Sequence, residues 1–319
     1  MRPVGNVARR SALLLALELT CSCAPEERRS EPDNRERDAL PTAAAAWPMP
    51  NPPLSGLPNP QRYVAEGDVV LDEITGLMWQ RIIDSGPGDG GGFVWPMARS
   101  HCEESSLAGF SDWRLPTRIE LVSLVDFTRT EPAIDAEAFP ATPTAWTWSQ
   151  SPAKDPSNFI WYVNFFYGYT NSNDPVYSQQ VRCVRRAGSV SAAESASPTF
   201  GYEIGAETVR DVQRGLTWQR RVPTGSFSAD DASTYCAGLE LDGERGFRLP
   251  SMKELQTIVS EEHADPAIDT EVFSDTPSEQ FWTSSRFAID AGQAWFVLFY
   301  DGFGLYTDAN TLYRVRCVR

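Results

Sequence analysis

Lysine is nearly missing from this 319-residue chain: Lys154 and Lys253 are the only two. Histidine is as scarce, with His101 and His263 alone. Positive charge is therefore almost all arginine. The 28 Lys+Arg fall well short of the 43 Asp+Glu, leaving a formal net charge of -15. Both halves share the deficit. Residues 62–186 carry 10 basic and 16 acidic side chains, and residues 201–319 carry 11 and 19. An acidic field on each half repels phosphates and sulfates, which argues against nucleic acid and generic polyanions as partners. Two histidines supply a zinc site or a Ser–His–Asp triad poorly. No apolar run reaches the roughly 20 residues that a membrane-spanning helix needs.

What the chain does have is a repeat. Trp113-Arg114-Leu115-Pro116-Thr117-Arg118-Ile119-Glu120-Leu121 returns as Phe247-Arg248-Leu249-Pro250-Ser251-Met252-Lys253-Glu254-Leu255, with the same landmarks around each copy. A duplicated unit settles the organisation before any local reading does. Four of the six cysteines divide one pair per copy at equal separation, 81 residues from Cys102 to Cys183 and 81 from Cys236 to Cys317. That spacing is read as two disulfides. Each would close a long loop, worth roughly 3–5 kcal/mol through the denatured state. The expected organisation is a leader over 1–23, a tether over 24–61, a first domain over 62–186, a linker over 187–200 and a second domain over 201–319.

The leader has a basic start (Arg2, Arg9, Arg10) and a short apolar run ending at Cys21-Ser22-Cys23, the pattern of a secretory signal. It resembles a bacterial lipoprotein signal, with Cys23 or Cys21 as the lipidated residue. A bacterial envelope location follows, as an outer-membrane lipoprotein or a secreted protein, with contact to the membrane through the anchor. The tether is Ala- and Pro-rich (Pro48, Pro50, Pro52, Pro53, Pro58, Pro60), a composition that favours extended chain.

Within each copy the order of elements is the same. Val69–Asp72 and Leu77–Arg81 form a hairpin about Gly76. A helix over 97–104 carries Cys102. Thr117 and Glu120 stand at capping-box spacing at the start of a second helix with the stripe Ile119, Leu121, Val122, Leu124 and Val125. Strands follow at 146–149, 159–165 and 177–186. In the second copy Ser251 and Glu254 repeat the capping box. Trp146, Trp148, Trp161, Trp282 and Trp295 are expected in the core.

Gly-Leu-Met-Trp-Gln, Asp-Trp-Arg-Leu-Pro-Thr-Arg-x-Glu-Leu, Pro-Ala-Ile-Asp, Trp-Ser/Thr-Ser and a closing Val-Arg-Cys-Val-Arg together resemble DUF1566, also called the C-terminal domain of Legionella collagen-like protein. The Arg-Leu-Pro-Thr-x-x-Glu core is also similar to the formylglycine-generating and sulfatase-modifying group. The resemblance implies an α+β fold of two tandem C-type-lectin-like domains, each with two helices, a small antiparallel sheet and one disulfide. It implies adhesion, with sulfated glycosaminoglycans as the ligand of the Legionella domain. The present chain differs in having no basic cluster.

The candidate chemistry is thin. Glu120 and Glu254 would suit general acids, but the capping box already explains their spacing. His101 stands where the second copy has Tyr235, and His263 where the first has Arg129. The Tyr167–Asp174 stretch and its counterpart, 300–310, are better placed for binding. Tyr167, Tyr169 and Tyr306 offer ring faces to sugars, and Asn171, Asn173, Asp174, Asp301, Asp308 and Asn310 offer oxygens for hydroxyls or a hard cation. The Glu-Pro-Asn and Trp-Asn-Asp signatures of calcium-dependent lectins are absent, so calcium is possible but not implied and no cofactor is expected. The resulting expectation is a non-catalytic, envelope-anchored binding or adhesion lipoprotein with two ligand-binding modules, its ligand a glycan or envelope protein. The alternative is an extracytoplasmic hydrolase or modifying enzyme built on a carboxylate pair.

Overall fold

The computed structural model describes residues 48–53, 55–84, 86–87, 91–154, 157–188 and 201–319. The leader with Cys21 and Cys23, the tether before residue 48 and most of the linker lie outside the described residues.

Each copy opens on a small antiparallel sheet. In the first, Tyr63–Glu66 (β1), Val69–Asp72 (β2) and Leu77–Gln80 (β3) form a meander. Its second turn is set by Asp72, whose Oδ1 accepts from the N–H of Ile74 at 2.9 Å, and by Gly76 at φ 67°. Helix α1 (Trp95–Glu103) starts with a proline in its first turn and carries Cys102 inward. Helix α2 (Arg118–Leu124) follows the Arg-Leu-Pro stretch, and the whole of it is buried. Strands β4 (Trp146–Pro152), β5 (Ile160–Asn164), β6 (Thr170–Asn173) and β7 (Val184–Arg186) complete the module, with β7 closing the first sheet beside β3. The second copy repeats this as β8 (Tyr202–Ile204), β9 (Thr208–Asp211), β10 (Leu216–Gln219), α3 (Ala229–Ala237), α4 (Met252–Gln256), β11 (Gln280–Arg286), β12 (Gln293–Leu298) and β13 (Phe303–Asp308).

Both expected disulfides are present, Cys102–Cys183 and Cys236–Cys317, with Cα separations of 5.5 and 5.4 Å. Each joins the first helix of its module to the chain's closing segment inside a small apolar cluster of its own. A larger core runs through both modules.

The two copies share one six-stranded antiparallel sheet, in the order β4-β5-β6-β13-β12-β11. The join is Thr170 opposite Gly304, where the N–H of Gly304 donates to Thr170 Oγ1 at 2.9 Å. Gly168 and Gly302 hold the turns leading to these strands. Both have positive φ, and a Cβ on either would stand under 3 Å from a valine methyl just past the end of the helix behind, Val125 after α2 or Val259 after α4.

Behind the sheet the modules interlock through buried polar groups. Arg118 on α2 donates to the Gln256 side chain, to the Gln256 carbonyl oxygen at 3.3 Å and from Nε to Glu261 Oε1 at 2.9 Å. Its guanidinium also lies 5.1 Å from the Trp161 ring centroid. Burial pushes the Glu261 carboxyl up from the ordinary carboxylate value, and Arg118 offsets only part of that.

Three expectations change here. Residues 48–61, expected as the end of an extended tether, fold back as an arm. Met49 enters the shared core at 3% exposure, Asn51 is 1% exposed, and Asn51 and Pro60 form a parallel bridge. An apolar side chain with a core to enter overrides the proline-rich composition around it. Trp146 is 36% exposed, lying at the start of an edge strand and stacked on Tyr162 at 4.9 Å, while the other four tryptophans are buried. The expected strand over 177–186 shortens to β7, because Gln179 and Gln180 bridge to Phe93 and Thr147 instead.

Removing the guanidinium in Arg118→Ala strands the buried Glu261 carboxyl without its cation. The expected loss is about 3–5 kcal/mol in urea unfolding, and the paired Arg118→Met/Glu261→Leu replacement should recover most of it. Equal losses in the single and double variants would show that the ion pair is not what holds the seam.

Candidate functional site

The Arg-Leu-Pro stretch is a structural clamp in both copies. Thr117 and Ser251 cap their helices with full capping boxes. Arg114 grips Glu120 with two bonds of 2.8 and 2.6 Å, and Arg248 grips Glu254 at 2.7 and 2.6 Å. Burial raises Glu120, but the guanidinium of Arg114 and the Thr117 donors outweigh it and hold the carboxyl below its ordinary value. A carboxylate held ionised and fully bonded is a poor proton donor.

The residues expected to bind ligand lie mostly along the seam. Tyr167 meets Phe287 and Tyr306 edge-on, and Tyr306 stacks on Phe287 at 3.9 Å. The Tyr169 hydroxyl accepts from Asn164 Nδ2 at 3.2 Å. Asn171 and Asn173 accept from the N–H groups of the residues that follow them, Asp174 accepts from Val176, Asp301 from Phe303, and Asp308 from Asn310. Their oxygens hold local turns, and β6 and β13 run through the two stretches. None of the nine lines the cavity described next. Among the described residues no group of three or more His, Cys, Asp or Glu could hold a metal ion. Ser260 Oγ and His263 Nδ1 lie 2.8 Å apart, but within one exposed turn, where the same Oγ accepts from the N–H of Glu262.

The cavity measures about 640 Å3 and sits where three parts of the chain meet. The second module supplies Ser233 and Ala237 from α3, the clamp residues Arg248, Leu249 and Ser251, Lys253 from α4, and Ser284 to Ala288 at the end of β11. The first module adds Phe127 and Thr128, and the arm adds Asn51, Pro52, Ser55 and Leu57. Asn51 Nδ2 donates to the Pro58 carbonyl oxygen at 2.7 Å, while its buried Oδ1 has no partner among the described residues.

The sequence held a signal for this site in the comparison of the copies. The offset that carries Cys102 to Cys236 is 134 residues (236 − 102), and it holds from the first helix to the end of each copy. At that offset Arg99, Glu103 and Gln150 become Ser233, Ala237 and Ser284. In the first module Arg99 and Glu103 pair at 3.5 Å across α1 and Gln150 is buried. Three large polar side chains thus give way to small ones where the cavity opens. The arm's part in the wall could not be found that way, since it has no counterpart in the second copy.

The model of the Lcl C-terminal domain matches the chain twice, over residues 68–185 and 207–319. The chain belongs to the Lcl C-terminal domain family. None of the curated proteins compared with it matches. The matched ranges take in each module from just after its first strand, β1 or β8, and the arm that walls the cavity precedes the first of them.

Lys253 ties these parts together. Its Nζ donates to the Pro50 carbonyl oxygen at 2.7 Å in the arm and to the Ser123 carbonyl oxygen at 2.8 Å at the end of α2. Burial pushes the Lys253 ammonium down to about 7, against the pull of Asp126 and Asp72. A depressed folded value means that the unfolded chain binds the proton more tightly. The group's contribution to stability is then fully present above the ordinary lysine value and is lost as pH falls through about 7. Relative to Lys253→Met, the natural protein should gain on the order of 2–3 kcal/mol between pH 6 and pH 9, measured by urea unfolding at both. A gap between the two proteins that stays constant with pH would refute the buried ammonium.

Proposed function

We propose that this chain is a non-catalytic binding protein of the bacterial envelope, held to a membrane by lipid at Cys23 or Cys21, with a saccharide as its ligand in the cavity between its two Lcl modules. The observation that carries this reading is the construction of the cavity. Its volume suits a small ligand of two or three rings, and its wall mixes Phe127, Phe287, Leu249 and Leu57 with the hydroxyls of Ser55, Thr128, Ser233, Ser251, Ser284 and Ser285. Apolar surface with a few placed hydroxyl and amide groups is the usual make-up of a small-molecule site. The non-catalytic reading has its support in the clamp: Glu254, beneath the wall residue Arg248, is committed to capping and to that arginine, as Glu120 is in the first module. The two-helix, one-disulfide module is read as C-type-lectin-like, with a distant likeness to the sulfatase-modifying group.

The test is to refill the cavity with the first module's residues. Ser233→Arg/Ala237→Glu/Ser284→Gln should fold as the natural protein does, because those side chains are accommodated at the matching positions of the first module. On an array of glycans and envelope proteins, with and without EDTA, the natural protein should bind a saccharide independently of EDTA, and the refilled variant should lose at least tenfold. Equal binding by both proteins would remove the cavity from the account. Binding confined to envelope proteins would refute the saccharide.

A further inference from the structure

The cavity wall departs from the rest of the molecule in its charge. The chain carries 43 acidic side chains against 28 basic ones. Among the described residues no acidic side chain lines the cavity, whereas Arg248, Lys253 and Arg286 do. The carboxylates that pair with the two arginines stand outside the wall, and the two pairs differ in kind. Glu254 is 3% exposed beneath Arg248 and also accepts from the N–H of Ser251 at 2.8 Å, so that pair is fixed. Arg248 still keeps its Nε–H and one Nη2–H without a partner among the described residues. Asp230, by contrast, is 83% exposed on α3, and its partner Arg286 is 36% exposed. An ion pair between exposed side chains contributes little. The Arg286 guanidinium can therefore exchange Asp230 for another carboxylate at small cost and bind it through two parallel N–H donors.

The remaining polar groups of the wall ask for hydroxyls. Ser233 and Ser284 are exposed in it, and a serine hydroxyl can both donate to and accept from a sugar hydroxyl. Resting on the reading that this cavity is the ligand site, we propose that its ligand is a small saccharide bearing a single carboxylate, and that Arg286 is the residue that selects the acid over the neutral sugar. Arg248 donates beside it from its fixed position. Ser233 and Ser284 meet the sugar hydroxyls. The acidic surface around the cavity sets the upper limit on charge: it repels an extended polyanion, while the acid-free wall admits one carboxylate.

The experiment titrates the full chain with uronate-terminated and sialate-terminated oligosaccharides, each beside its own methyl ester. At least one acid should bind about tenfold or more tightly than its ester, the scale of one charge-assisted contact. Arg286→Gln should bring that ratio close to one. Its surface ion pair adds little to stability, and an unchanged thermal midpoint confirms that the variant is folded. Acids and esters that bind alike, or a preference that survives Arg286→Gln, would overturn the proposal. If only neutral saccharides bind, and the refilled variant loses them, the carboxylate is wrong while the cavity reading stands. If no saccharide of either kind binds, both fall.

Discussion

Everything distinctive about this molecule meets at the Lys253 ammonium. It is one of two lysines in the chain, and it is spent entirely inside. Its two carbonyl acceptors belong to the arm and to the first module, while the side chain itself belongs to the second. A buried charge bonded to neutral oxygens is expensive, so the site holds only because the surrounding packing fixes all three parts at once. Met49 in the shared core, the Arg118–Glu261 pair and the Thr170–Gly304 join supply that packing. The cavity is the space left where those parts converge.

Duplication usually promises two equivalent sites. Here the seam makes the halves unequal. Arg118 of the first module reaches across to Gln256 and Glu261 of the second. At the matching offset the second module has Met252 in place of Arg118, and the first has Phe127 in place of Glu261. One side of the pseudo-symmetric contact is therefore filled by an ion pair. On the other side Phe127 packs edge-on against Trp295 at 5.0 Å and lines the cavity. The same ancestral surface has become a plug in one place and a wall in the other.

Much of this was legible in the sequence, and the reason is periodicity. Equal cysteine separations gave both disulfides, and Thr117/Glu120 with Ser251/Glu254 gave both capping boxes, because each is a local rule stated twice. That strands β6 and β13 run through the stretches around Tyr167 and Tyr306 was not legible, for the opposite reason. Aromatic, amide-rich loops and the central strands of a shared sheet have the same composition, and what separates them is a partner 134 residues away. The arm was hidden similarly: six prolines between residues 48 and 60 outweigh one methionine in any composition, yet Met49 decides where the segment goes. The cavity itself was visible only as a difference, in the small residues Ser233, Ala237 and Ser284 facing Arg99, Glu103 and Gln150.

That difference bears on how the two modules work together. Linked modules gain avidity when each carries a site that can engage independently. The first module's matching surface holds an arginine, a glutamate and a buried glutamine, and the second module's cavity is completed by first-module and arm residues. On the proposed function the copies would thus not be two binders in series. The first acts as scaffold and wall for the second, and the shared sheet is what keeps that wall in register. Under the proposed function, selection on the first copy would then fall on seam residues such as Arg118, Phe127 and Ser123, which have no need to contact a ligand, while the second copy's Ser284 and Arg286 would face it.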